Sequence, residues 1–189
     1  MHAPLGSGAA LASVEVFDPS TDCWSAGPNL PSARFGMAST THAGSGYLCG
    51  GYAAGGLSSV LQLQPAADGG FSWVDVPAMP TPRFNGCATS VEGKIYVAGG
   101  CVHDSHGASA SMDCFDLSSS TWSAAPLMGS TRIGAAAASL HGNVYIMGGV
   151  SGDGPLNSVE VFNPLTGCWS EGPVLQVPRA AACAALLRI

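Results

Sequence analysis

Four of the six basic residues in this 189-residue chain, Arg34, Arg83, Arg132 and Arg179, recur at intervals of 49, 49 and 47 residues. A chain of net charge -6 thereby concentrates its cationic groups at one repeat phase. A repeat wound about an axis would set them in a ring. Each guanidinium carries a planar fork of N–H donors that matches a carboxylate bidentately, so such a ring suits an acidic peptide. The same side chain can instead brace its own repeat, donating to backbone carbonyls or to a nearby carboxylate, and the spacing alone leaves both roles open.

The other chemistry-bearing residues make weaker patterns. His103-Asp104-Ser105-His106 is a local H-x-x-H in a polar loop, with His2, His42 and His141 far from it in the sequence, and it reads as a solvated loop before a metal site. Cys23, Cys49, Cys87, Cys101, Cys114, Cys168 and Cys183 show no C-x-x-C spacing and mostly sit in apolar runs, as buried reduced thiols do. Glu15, Asp113 and Glu160 fall at one phase, and Asp18 and Asp116 at another, positions expected to be a solvated strand face and a turn cap. The sequence contains no G-x-S-x-G elbow, H-E-x-x-H or P-loop. The expectation is a protein that is not an enzyme and carries no cofactor.

Composition narrows the partner class. One Lys and five Arg cannot neutralise a run of phosphates, which argues against nucleic acid and anionic membranes. No apolar stretch reaches bilayer-spanning length and the first residues lack a signal-like apolar segment, so the expected location is cytoplasmic. With 26 Gly and 13 Pro dispersed along the chain, many short strands joined by tight turns are expected, not a helical bundle.

The elements that must position the arginines repeat with them. Trp24, Trp73, Trp122 and Trp169 each precede an arginine by ten residues. Gly50-Gly51, Gly99-Gly100 and Gly148-Gly149 each begin sixteen residues after one, with Tyr47, Tyr96 and Tyr145 three residues earlier. The distance from glycine pair to the next tryptophan varies, being 23, 23 and 21 residues, so the variable loops lie there. Within a period, IGAAAASL, VYIM, SVEVF and CWS read as four strands, with Val159 and Val161 on one face and Glu160 on the other. Such a sheet buries both faces only against neighbours, so Trp and Tyr are expected between units and Gly where the backbone approaches closely.

R-[FIA]-x-x-x-A, then G-x-x-Y-x-x-G-G, then S-V-E-V-F-[DN]-P-x-T-x-C-W resembles the kelch repeat over nearly the whole chain. Residues 130–149 and 157–169 are most similar to the kelch domains of BTB-kelch proteins, substrate-recognition modules of cullin-RING ubiquitin ligases. The resemblance implies an all-β, kelch-type β-propeller. One array spans 1–189, with repeats 34–82, 83–131 and 132–178 and partial blades at 1–33 and 179–189. These make about four blades, the last split between the ends and lacking its second strand, in what reads as part of a larger, six-bladed propeller. The second repeat is degenerate, VLQLQPAADGGFSW replacing the acidic residue and turn.

The resemblance further implies a partner-binding mouth. It comprises Arg34, Arg83, Arg132 and Arg179 at the start of strand one, Tyr52 just after a glycine pair, and Ser13, Ser59, Ser111 and Ser158 before strand three. The implied role is a protein–protein interaction module, the recognition part of a kelch-type adaptor holding a protein or acidic peptide. No BTB or BACK segment is present in these residues, and open propeller ends would also favour self-association. The alternatives are a sugar-directed enzyme similar to galactose oxidase or the sugar-acid epimerases, or a truncated product without independent function.

Overall fold

The computed structural model describes residues 10–67, 69–102 and 107–185. The described residues form strands, bridges and turns with no helix. Hairpin β1 (Glu15–Asp18) and β2 (Cys23–Ala26) comes first. Blade one follows, of β3 (Ala38–His42), β4 (Ser45–Cys49), β5 (Val60–Pro65) and β6 (Phe71–Val76). Blade two is β7 (Cys87–Val91), β8 (Lys94–Ala98), β9 (Met112–Asp116) and β10 (Thr121–Ala125). Blade three is β11 (Ala136–Leu140), β12 (Asn143–Met147), β15 (Val159–Asn163) and β16 (Cys168–Glu171), with a small hairpin of β13 (Val150–Ser151) and β14 (Gly154–Pro155) in its loop. Each blade is a four-stranded antiparallel meander, the unit of a β-propeller. The hairpin supplies the third and fourth strands of a further blade, so the propeller is partial.

Local chemistry sets the strand ends. Ala43-Gly44, Glu92-Gly93 and His141-Gly142 join first to second strands with both φ values positive, the two-residue turn whose twist matches that of the strands it joins. Asp116 accepts N–H bonds from Ser118 and Ser119, and Asn163 from Leu165 and Thr166. These side chains cap the turn between third and fourth strands as expected of residues that hydrogen-bond their own following backbone.

The core lies between blades. Tyr47, Cys49, Val60 and Met79 of blade one pack against Ile95, Val97, Phe115 and Trp122 of blade two. Tyr96, Met112, Cys114 and Met128 meet Val144, Ile146, Phe162 and Trp169 of blade three in the same phase. Each contact is stitched at its outer edge: the indole N–H of Trp73 donates to the Pro28 carbonyl at 2.9 Å, that of Trp122 to Pro77 at 2.7 Å and that of Trp169 to Pro126 at 3.0 Å. Tryptophan therefore fills the space between blades and also joins its blade to the preceding one. Trp122→Phe keeps most of the buried area and loses the bond, so a urea titration should show a loss of about 1 kcal/mol. Trp24→Phe, with no acceptor to lose among the described residues, should leave dilute protein unchanged.

A second stitch runs about the axis. Gly36, Asn85, Gly134 and Ala181, each two residues after an arginine, all have positive φ. The Asn85 N–H donates to the Gly36 carbonyl, Gly134 to Asn85 and Ala181 to Gly134, at 2.7 to 2.8 Å. The final segment corrects the sequence reading. Residues 180–185 keep the register of a first strand but form no strand, because no second strand stands beside them to complete a ladder. Among the described residues no hydrogen bond joins this segment to β1 or β2.

Candidate functional site

At one end of the blades, the residue after each arginine pairs in a two-bond bridge with the residue after each glycine pair: Phe35 with Tyr52, Phe84 with Cys101 and Ile133 with Val150. These residues form the rim of the axial opening. Tyr52 links two blades, its ring 5.4 Å from that of Phe35 and 4.9 Å, edge-on, from that of Phe84. A cavity of about 660 Å³ opens among Phe35, Gly36, Asn85, Ile133, Val150 and Ala181, so all four repeats contribute to it. Below it the channel continues between the small residues of 37–39, 86–88, 135–137 and 182–184.

Three of the four arginines take the second of the two roles that their spacing leaves open. Arg34, Arg83 and Arg132 are 6%, 1% and 1% exposed, and their Nη groups are engaged inside their own blades, whereas the Nε of Arg34 has no partner among the described residues. Arg83 donates to the carbonyls of Gly99 and Ser111, to Ser111 Oγ, and to Asp113 at 2.6 Å. Arg132 reaches Gly148, Ser158 and Glu160 in the same way, and Glu160, one methylene longer than Asp113, also takes its Nε at 3.1 Å. Arg83 Nε has no partner among the described residues. Three of the four guanidiniums thus fill the bracing role, beneath the rim and away from solvent, and a charged side chain so buried requires such partners.

Blade one shows what the degenerate repeat changes. Leu61 stands where Asp113 and Glu160 stand in the other blades, so Arg34 is held by the hydroxyls of Ser59 and Ser32, both at 2.8 Å, and by the Gly50 carbonyl. Burial without an adjoining carboxylate lowers its pKa, with Asp75 opposing from a distance. Of the acidic phase expected to be a solvated face, Glu15 is exposed, but Asp113 and Glu160 are buried, at 3% and 9% exposed.

The remaining predicted site residues divide similarly. Ser59, Ser111 and Ser158 each receive an N–H of the arginine in their own blade. Ser13 is exposed on the hairpin, whose blade has no arginine among the described residues, and Arg179 is exposed at the end of the array. Tyr52 does lie on the rim. Phe35, Phe84 and Ile133 are rim residues that sequence reasoning missed, although their place immediately after the phased arginines was a readable signal.

Nothing among the described residues brings three His, Cys, Asp or Glu side chains together as a metal site would need; the expected His103–His106 cluster lies outside them. Burial pushes the thiols of Cys49 and Cys87 up to about 12, which removes them as nucleophiles at neutral pH. Cys101 and Cys114 are buried too, whereas Cys23, Cys168 and Cys183 are exposed, so the expectation of buried thiols holds for four of the seven.

The fold agrees with comparison to protein families: residues 6–187 match the model of the KLHDC2/KLHL20/DRC7 Kelch-repeats domain. The chain belongs to the kelch-repeat family. No curated protein gives a significant match to it. As a kelch domain it is a protein–protein interaction module in general character, built here from three complete blades and one partial one.

Proposed function

We propose that this kelch domain recognises a short segment of a partner protein at the axial mouth and does no chemistry on it. The observation that carries the reading is the cavity of about 660 Å³ rimmed by Phe35, Ile133 and Val150. Its size falls within the roughly 300–1,000 Å³ of small binding pockets, and it joins an apolar floor to exposed aromatic carbon. Phe35 is 44% exposed although it is a large hydrophobe on a rigid two-bond bridge, the kind of side chain that anchors an interface.

The segment recognised is an apolar residue flanked by carboxylates. Arg179 supports the acidic part, as the arginine of the phased four that is exposed, while the three buried arginines hold the rim in place. A role as the recognition part of a ubiquitin-ligase adaptor draws its support from the resemblance of 130–149 and 157–169 to BTB-kelch domains. The test is fluorescence anisotropy with acidic peptides that carry one central Leu or Phe. Phe35→Ala should weaken binding about tenfold or more, and Arg179→Glu should weaken it and remove its salt dependence. Binding indifferent to both substitutions would refute the mouth as the site.

A further inference from the structure

The two ends of the array present opposite halves of the contact that joins its blades. At the amino end, the Phe17 and Trp24 rings meet at 5.3 Å, tilted by 45°, on β1 and β2 in the phase of Phe115 and Trp122, the pair that packs onto the preceding blade. Among the described residues no blade covers this pair, and Trp24 is 67% exposed and Phe17 42%. At the carboxyl end, blade three presents Tyr145, Met147 and Val161, in the phase of Tyr47, Cys49 and Gln62 and of Tyr96, Ala98 and Cys114. Tyr47 and Tyr96 are buried by the blade that follows, whereas Tyr145 remains partly open.

The polar groups match as well. Trp24 has the only indole of the four that no hydrogen bond engages among the described residues, and Pro173, four residues after Trp169, carries the corresponding carbonyl with no donor among them. Glu15 holds the phase of Asp113 and Glu160 without an arginine, and Arg179 holds the phase of Arg83 and Arg132 without a carboxylate. Apolar surface, hydrogen-bond donor and charge are thus each complemented between the two ends.

We infer that a second copy of this chain docks head to tail, the Phe17–Trp24 face of one hairpin against the Tyr145–Val161 face of the other copy's third blade. The hairpin is fixed to blade one of its own chain through the Trp73–Pro28 bond, the Arg34 N–H to Leu11 bond and the burial of Leu30. Its open face therefore points away from the blade that anchors it and is available to another molecule. The contact is heterologous, so it either closes a ring or grows a chain. Two copies joined at both junctions make eight blade positions, within the four to eight that propellers use.

The test is light scattering of the full chain against concentration, with Trp24→Ser blocking the head and Val161→Glu blocking the tail. Both sites are at least partly exposed, and thermal unfolding confirms that each variant still folds. Wild type should show concentration-dependent species above the monomer mass, and each variant alone should associate about tenfold more weakly. Mixing the two variants leaves one intact head and one intact tail, and should give a one-to-one heterodimer that grows no further. A monomer at every concentration would overturn the inference. So would association unaffected by either block, or a monomer in which Trp24 is shielded from a collisional quencher, since the chain's own ends would then have met.

Discussion

Glu160→Ala should destabilise the chain by about 3 to 5 kcal/mol, the cost of breaking a buried charge pair from one side. Its carboxylate accepts the Arg132 Nε at 3.1 Å and Nη2 at 2.9 Å, and the backbone N–H groups of Gly129 at 2.5 Å and Ser130 at 3.1 Å. The alanine variant strands a guanidinium that is 1% exposed and removes the acceptor for two loop amides, so blade three should loosen together with the loop that enters it. Glu160→Gln keeps an acceptor oxygen and should recover part of the loss. Arg132→Met added to Glu160→Ala should recover more, because the stranded charge goes with it. Equilibrium urea unfolding of the four proteins measures the whole cycle, and an Ala variant within 1 kcal/mol of wild type would show that the pair does not hold the blade.

The second large effect is expected at Gly99. Its φ is +64°, and a β-carbon built there would stand 2.5 Å from the Arg132 carbonyl oxygen. That oxygen also accepts the Gly100 N–H at 2.7 Å, and the guanidinium of the same residue is locked inside blade three, so the obstructing group cannot retreat. Gly99→Ala therefore adds a backbone clash to the roughly 1–2 kcal/mol that an L-residue spends in the left-handed region. A total of about 3 kcal/mol or more is expected. Gly93→Ala is the control, since it has φ +73° with nothing within 4 Å of the added carbon. Differential scanning calorimetry should separate the two clearly, and equal losses would mean that the approach of the Arg132 carbonyl is not what requires glycine.

The readable and unreadable parts of this molecule differ for a physical reason. The phases of Trp122, Tyr96 and Gly99-Gly100 were legible because each reflects a geometry repeated in every period: a gap of fixed width, or a carbonyl at fixed approach. The arginines were equally visible but their role was not, since it depends on which strand-three residue meets them across the blade. Asp113 and Glu160 follow their arginines by 30 and 28 residues, a spacing that becomes a contact only once the intervening second strand is in place. The covariation that would have betrayed the pair was nevertheless present: blade one, with Leu61 in place of the acid, is the blade whose arginine relies on serines. The partial blade read at 179–189 shows no strand over its described residues 180–185 for the converse reason, because strand propensity without a neighbouring ladder leaves N–H and C=O groups unpaired.

The stitches between blades have an evolutionary consequence. Trp73, Trp122 and Trp169 all donate to a proline four residues after the preceding tryptophan, and each glycine pair receives the carbonyl of the next arginine. The two junctions between complete blades are chemically the same, and each complete blade carries one half of the junction before it and one half of the junction after it. A tandem duplication or an in-frame loss of one period therefore rejoins matched halves wherever it falls. Gene-level changes in blade number need no compensating substitutions at the new seam, and the drift tolerated within a single repeat, such as the one around Leu61, remains confined to that repeat.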